Sequence, residues 1–422
     1  MAADKSAIDA IHAMRERLAP APRLYVPGCS GEPLLLADAL KADPTLATDA
    51  TFLGVYIPGI NRTDYAGFHK TARSDLIFLA PDFRESLEAR RAVFRPLTYN
   101  QAWRWLGETR IDAAFVQTSA LDAEGLVSLG VSADFSPAVL ARRDVVKIAH
   151  VNPLMPAPIS GPRYPLALFD AVLRAERPIL IYDPPPPPPI FAAIARHVAS
   201  LIRDGDTLQF GLGNIQLAMP AELTRKKRLR IHSGMVSDPV LAALDAGVIA
   251  DDPGAITTGV ALGTGRLYTR AAQDGRFLFE PVGVTHDIRT LAALDNFVAI
   301  NSAIEVDLFG QANAEFQDGK QVSGGGGLVD FLRGAAASKG GRPVIALASA
   351  ARGGTVSRIV PRLDAPAVTV ARADMGFVIT EYGIADLRGA DVEERARALI
   401  AVAHPDHRDN LARAWSKMSG AL

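Results

Sequence analysis

Asp183 is followed by six consecutive prolines, Pro184 to Pro189. Such a run can neither join a helix nor donate to a sheet ladder, so it stands as an extended, semi-rigid segment. The chain on either side of it must therefore bury a core of its own. The same rhythm appears on both sides. Before the prolines, short apolar runs lie at residues 24–26, 51–57, 76–79, 113–116 and 145–149, with helix-like stretches such as 33–41 between them. After them, a helix over residues 191–203 leads to apolar runs at 208–210, 297–300, 344–347 and 377–380. Strands apolar on both faces and spaced by helices predict open, mostly parallel α/β sheets covered on two sides. The expected division is an N-terminal domain over 1–183, a linker over 184–189 and a C-terminal domain over 190–422. The proline run reads as a spacer, with a ligand for a proline-binding partner as the other reading.

A length of 422 residues agrees with two domains. Lys plus Arg (45) nearly cancels Asp plus Glu (46), which argues against nucleic-acid or membrane-surface binding. Cys29 is the single cysteine, which excludes an intramolecular disulfide and fits a reducing cytoplasm. The first twenty residues read as a polar amphipathic helix without the apolar centre of a signal peptide. No apolar run reaches the roughly 18 residues of a membrane span. A soluble cytoplasmic protein is expected.

Glycine-rich segments carry the candidate chemistry. Gly211-Leu212-Gly213-Asn214 follows a strand and precedes an apolar helical run, so backbone N–H groups face an anion or a developing oxyanion; a plain strand–helix turn has the same pattern. Gly324, Gly325, Gly326 and Gly327 run together ahead of a helix expected over 328–337, which calls for positive φ angles or close approach of a ligand. Arg352-Gly353-Gly354 with Arg358 suits a phosphate, and equally a solvated hairpin. Glu381 lies just beyond a strand, where α/β folds place their sites, although an ion pair with Arg388 would also account for it. The eight histidines show no metal-ligand spacing, and His404-x-x-His407 reads as the face of a solvated C-terminal helix. No metal is expected.

These segments resemble the acetyl-CoA hydrolase/transferase family in order and nearly in wording. The resemblance rests on Asn301-Ser302-Ala303-Ile304-Glu305-Val306-Asp307-Leu308, on the glycine run with Val329-Asp330-Phe331, on Gly353-Gly354-Thr355-Val356-Ser357, and on Thr380-Glu381-Tyr382-Gly383. Gly28-Cys29-Ser30-Gly31-Glu32-Pro33 and Gly125 to Ser132 extend it into the N-terminal half. It implies two CoA-transferase-type domains with an interdomain active-site cleft and a homodimer or higher homo-oligomer. It also implies an acyl-CoA substrate with a carboxylate acceptor.

By the same resemblance, Gly211, Gly213, Gly325 and Gly326 lie near the thioester carbonyl. CoA is held mainly by the C-terminal domain, with Asn214, Asn301, Gly324, Gly327, Arg352, Gly353, Gly354 and Arg358 as its candidate contacts. Two departures stand out. In Ile231-His232-Ser233-Gly234-Met235, Gly234 occupies the position of the family's attacking glutamate. In the N-terminal half, His69-Lys70-Thr71-Ala72-Arg73-Ser74-Asp75 replaces a glycine–asparagine–arginine element, so the acceptor is not carried over.

Glycine is no nucleophile, and at 234 it is expected to open a space the size of a glutamate side chain. Three readings are open: direct attack by the second reactant; a relocated nucleophile or base, with Glu381, Glu280, Asp238 or Cys29 as candidates; and CoA-ester binding without turnover.

Overall fold

The structure is a computed structural model that describes residues 5–420. By its contacts the chain forms two units: Met1–Asp183 with Thr257–Thr285, and Pro184–Ile256 with His286–Leu422. The segment Thr257–Thr285 thus packs with the N-terminal residues, so a single cut at the prolines does not describe the division. Of the helix expected over residues 1–20, Lys5–Arg15 is helical, and residues 1–4 lie outside the described ones.

The first unit is built on seven parallel strands: β1 (Arg23–Tyr25), β2 (Thr51–Gly54), β3 (Arg73–Leu76), β4 (Ala92–Phe94), β5 (Ala113–Thr118), β6 (Val146–Val151) and β7 (Ala171–Arg174). Their spatial order is β4-β3-β2-β1-β5-β6-β7. Both faces are buried, and the register shows it. Leu24 pairs with Phe52 and Tyr25 with Leu53. Leu24 and Phe52 belong to one core, whereas Tyr25 and Leu53 belong to another. The side-chain period of two sends neighbouring residues to opposite cores, which explains the continuous apolar runs.

One strand departs from its apolar run. The expected strand at 76–79 is instead Arg73–Leu76. A buried aspartate, Asp75, sits inside it and is neutralised by Arg23 (3.1 Å) and Arg95 (2.5 Å). A paired charge is tolerated there, but no apolar pattern reveals it.

In the second unit the strands are β8 (Thr207–Phe210), β9 (Arg230–Val236), β10 (Phe297–Asn301), β11 (Arg342–Ala346), β12 (Phe377–Thr380) and β13 (Gly383–Asp386). They are neighbours in the order β9-β8-β10-β11-β12-β13, parallel except for the antiparallel pair β12–β13. Phe297 and Ala299 of β10 share a core with Phe331 and Ala335 of the Leu328–Ala337 helix. At the N-terminal edge of this sheet, Asp206 accepts from both terminal guanidinium nitrogens of Arg342 (2.8 and 2.9 Å), buried on both sides. That end is fastened shut; the opposite edge carries the candidate site.

Candidate functional site

In the second unit, β8 leads to β9 on one side of the sheet while β10 leads to β11 on the other. The crevice at such a switch point, beyond the C-terminal strand ends, is where open α/β sheets hold their ligands. Three sequence-predicted residues meet there. Gly213, at φ 122°, ends the turn after β8 and caps the Asn214–Leu223 helix without a side-chain bond. No atom lies within 4 Å of where its Cβ would be. The positive φ favours glycine, and the open space leaves the helix N-terminus approachable. A Cβ on Gly211 would come no nearer than 4.0 Å to anything, the nearest atom being Asn301 Oδ1. Asn301 is buried and donates from Nδ2 to Gln209 Oε1 (2.9 Å), so its orientation is set by the next strand. Asn214 is exposed at the first turn of its helix.

Gly234 lies in β9, and the space expected beside it is filled. A Cβ built on Gly234 would lie 2.5 Å from Cε1 and 2.9 Å from Nε2 of His286. The same imidazole confronts Gly327, where a Cβ would meet Nε2 at 2.4 Å. At both positions a side chain would have to displace the same buried ring. His286 is 2% exposed and packs on Phe331 with ring centroids 4.4 Å apart. Burial, and secondarily the neighbouring His232, push its pKa down to about 3, so the ring is neutral. His232 precedes Gly234 by two residues and lies edge-on to Phe297. Nothing in the sequence around Pro281-Val282-Gly283-Val284-Thr285-His286 marks His286. The only signal was indirect, a glycine in a strand that otherwise carries side chains.

The glycine run forms the approach to the Leu328–Ala337 helix. Gly326 has φ 55°, and Gly327 caps the helix with no side-chain bond. Gly325 is open on its Cβ side, the nearest atoms being Thr369 Cγ2 at 3.7 Å and Glu315 Oε1 at 3.8 Å. Gly324 is buried. Glu315, which sequence reasoning passed over, accepts from Thr369 Oγ1 (3.0 Å) and Gln321 Nε2 (3.2 Å). Burial raises its carboxyl above the ordinary glutamate value.

Glu381 is not paired with Arg388. Its carboxylate accepts from the backbone N–H (2.9 Å) and the hydroxyl (2.6 Å) of Ser349, tying the end of β12 to the loop after β11. Arg388 instead bonds Asp386 and lies over the Phe377 ring at 4.1 Å. A short strand on each side places Arg352-Gly353-Gly354 at the tip of a hairpin, Ala350–Ala351 against Val356–Ser357. Gly353 and Gly354 have φ 67° and 92°. His404 and His407 do not lie free on a solvated helix. Nε2 of His407 is 2.8 Å from the Gly354 carbonyl, and His404 packs against Tyr382. Beside the hairpin is a cavity of about 260 Å³ lined by Arg352, Ser357, Arg358, Glu305 and Asn313 among others. Arg352 is held at its mouth by Asp318 (2.8 Å). Arg358 has no ion pair among the described residues.

The remaining candidates for a displaced nucleophile fare differently. Cys29 is buried in the first unit, its N–H donating to Asn61 Oδ1 (2.9 Å). Burial and the carboxylates of Asp134 and Glu32 push its thiol well up, away from the thiolate. Glu280, also in the first unit, is half-buried and raised by that burial. Asp238 sits at the start of the Pro239–Asp245 helix without a side-chain capping bond. Asp134 is a further buried acid that no motif announced; it stands at φ 39° and is 6% exposed, with its carboxyl raised to about 7 by desolvation. Among the described residues no helix is long and apolar enough to cross a membrane.

Parallel sheets with a glycine-lined switch point define a class of ligand-binding α/β proteins, and comparison with known proteins narrows it. Family models described as the acetyl-CoA hydrolase/transferase N-terminal and C-terminal domains match residues 21–161 and 263–415. The chain is 36% identical over 395 residues to a 4-hydroxybutyrate coenzyme A transferase of Clostridium kluyveri, covering 92% of each. It is 33% identical to a succinyl-CoA:cyclohexane-1-carboxylate CoA transferase of Geobacter metallireducens, over 80% of this chain and 78% of that one. The crystal structure of RipA from Yersinia pestis superposes with a TM-score of 0.86 at 29% identity, covering 97% of this chain and 99% of that one. The chain belongs to the acetyl-CoA hydrolase/transferase family.

Proposed function

We propose that this protein acts on the CoA thioester of a small carboxylic acid and passes the acyl group directly to a second reactant, either water or a carboxylate acceptor. No glutamyl intermediate is involved. The observation that carries this is Gly234. By the family resemblance it stands where relatives keep their attacking glutamate, and the imidazole against it leaves no room for one. What remains is a set of backbone donors at two helix N-termini, after Gly213 and Gly327. Such donors stabilise a tetrahedral oxyanion by roughly 3–4 kcal/mol each, so acyl transfer survives without a covalent step. Arg358 and Arg352, around the cavity beside the hairpin, suit the phosphates of CoA. We assign the CoA site to residues 190–422 and take the working form to be a cytoplasmic homo-oligomer.

A relocated carboxylate finds less support, since Glu381 is engaged with Ser349 and the Cys29 thiol is held protonated. Binding without turnover is the second reading, favoured by one observation: the imidazole occupies the space through which a reactant would approach Gly234. The test is release of free thiol from short acyl-CoA esters, with and without carboxylate acceptors, alongside calorimetric titration with CoA. Turnover supports the enzyme; binding alone supports the second reading. Loss of CoA affinity in Arg358→Ala, about tenfold for a charge-assisted phosphate contact, would support the assignment of the cavity.

A further inference from the structure

We propose that an apolar cavity beside the Gly211–Gly213 turn is the acyl pocket of this protein. It takes the tail of a short, straight aliphatic acid, and the Gln216 amide donates to the acyl oxygen at its rim. This rests on the acyl-CoA reading above and names the class of acid. The cavity, of about 30 Å³, lies between β8, β9 and the helices Asn214–Leu223 and Pro239–Asp245. Phe210 and Met235 are partly exposed at its mouth, whereas Leu208, Met219 and Ile231 are buried in its floor. Phe210 immediately precedes Gly211, and Gln216 stands in the first turn of the helix that Gly213 caps. The mouth therefore adjoins the backbone donors assigned to the thioester oxygen. Met235 projects from the face of β9 opposite to its neighbour Gly234, so the imidazole lying against Gly234 leaves this cavity clear.

Gln216 separates a binding pocket from a packing void. It is the one polar residue lining the cavity, and it is only 9% exposed. Its side-chain amide makes no hydrogen bond with any described residue. A buried amide left unpaired costs free energy, so an occupant that brings one uncharged oxygen is favoured. A thioester carbonyl followed by a hydrocarbon tail has that pattern. A tail ending in a carboxylate does not, because its charge would be buried against apolar side chains with no counter-ion. Size sets the length. A water needs roughly 10–15 Å³, and a cavity that binds benzene measures about 150 Å³. The volume here therefore admits about two or three carbons beyond the carbonyl and no ring. Met219 and Met235, flexible thioethers, adapt the walls to the tail.

The full-length protein and three variants test this, read by thiol release from acetyl-, propionyl-, butyryl-, hexanoyl-, benzoyl- and succinyl-CoA and by calorimetric CoA affinity. Wild-type kcat/KM is expected to rise about fourfold per methylene from acetyl to butyryl and to fall for the hexanoyl, benzoyl and succinyl esters. Ala243→Leu fills the cavity and should move the optimum to acetyl; Val240→Ala enlarges it and should move the optimum to hexanoyl. Both should bind CoA within about twofold of wild type. Gln216→Leu should lose about tenfold in kcat/KM at every chain length with the optimum unmoved. An optimum that stays put in both Ala243→Leu and Val240→Ala, or a wild-type preference for the succinyl ester, would overturn the pocket. Wild-type rates in Gln216→Leu would overturn the role of the amide. If Ala243→Leu fails to fold by circular dichroism, Val240→Ala still decides. Wild-type protein that binds CoA and turns over no ester ends the enzymatic reading, and calorimetry then decides the pocket on its own. Butyryl-CoA binding about tenfold more tightly than CoA in wild type, and no more tightly in Ala243→Leu, supports it; equal affinities in wild type overturn it.

Discussion

Each unit has a topological switch point, and the two are furnished in opposite ways. In the first, β1 and β5 flank the crevice, and the loop after β1 is closed and acidic. A Cβ on Gly28 would strike the Val55 carbonyl at 2.0 Å and one on Gly31 would meet Ser132 Oγ at 2.7 Å, so these glycines exist for packing. Around them lie a protonated thiol, the hydrogen-bonded carboxyl of Glu32 and the carboxyl of Asp134, all buried. In the second unit Gly211, Gly213 and Gly325 are open on their Cβ sides, and the buried titratable groups beside Gly234 are two imidazoles, His286 and His232. One edge packs carboxyls and a thiol around its glycines; the other leaves its glycine backbone open. A shared architecture therefore says little about ligand choice, which rests on the side chains placed at the strand ends.

The largest expected effect tests the acidic edge. The carboxyl of Asp134 is held at about 7 against an ordinary 3.8, so folding favours its protonated form. Its contribution to stability is full below about pH 4 and is lost as pH rises through 7. Asp134→Asn should flatten that slope in denaturant titrations, with a gain on the order of 4 kcal/mol at pH 8 and none at pH 3.5. An unchanged slope would mean the acid is solvated after all. The second edge predicts the opposite sign. The His286 ring sits at about 3 against 6.5, so stability is lost as pH falls below about 6.5, and His286→Gln should remove that loss.

Next in size, Gly234→Glu on its own must drive a side chain into a fixed ring and bury a charge. About 3 kcal/mol of destabilisation is expected. The double variant Gly234→Glu/His286→Ala should recover more than half of it, a coupling that a double-mutant cycle measures. Purely additive losses would show that the two residues do not share one space. Glu381→Gln should cost about 2 kcal/mol by weakening the charge-assisted bonds to Ser349. A larger loss of kcat than of stability would return Glu381 to the list of catalytic groups. The smallest effect belongs to the hairpin: His407→Phe removes one bond to the Gly354 carbonyl, and CoA affinity should fall by about fivefold.

Much of the fold was legible because its signals are local. The helix over 328–337 and the strand over 377–380 agree with the apolar runs residue for residue. Asp75 shows where that legibility fails, since its arginine partners come from β1 and from just beyond β4. Of the candidate site, the glycine turns were legible. Glycine spacing named Gly211, Gly213 and the run at Gly324–Gly327, because positive φ and close approach leave a mark in composition. It did not name His286 or Glu315 there, or Asp134 in the first unit, whose ordinary residue types acquire meaning only from what surrounds them.

By itself the sequence determined two α/β cores of mostly parallel strands and the glycine turns at their edges, since periodicity and backbone freedom are properties of neighbouring residues. Only the tertiary structure decided that a histidine about fifty residues further along the chain lies on Gly234. Burial, and the pKa that burial sets, belong to the packed state, and packing joins residues without regard to their separation along the chain.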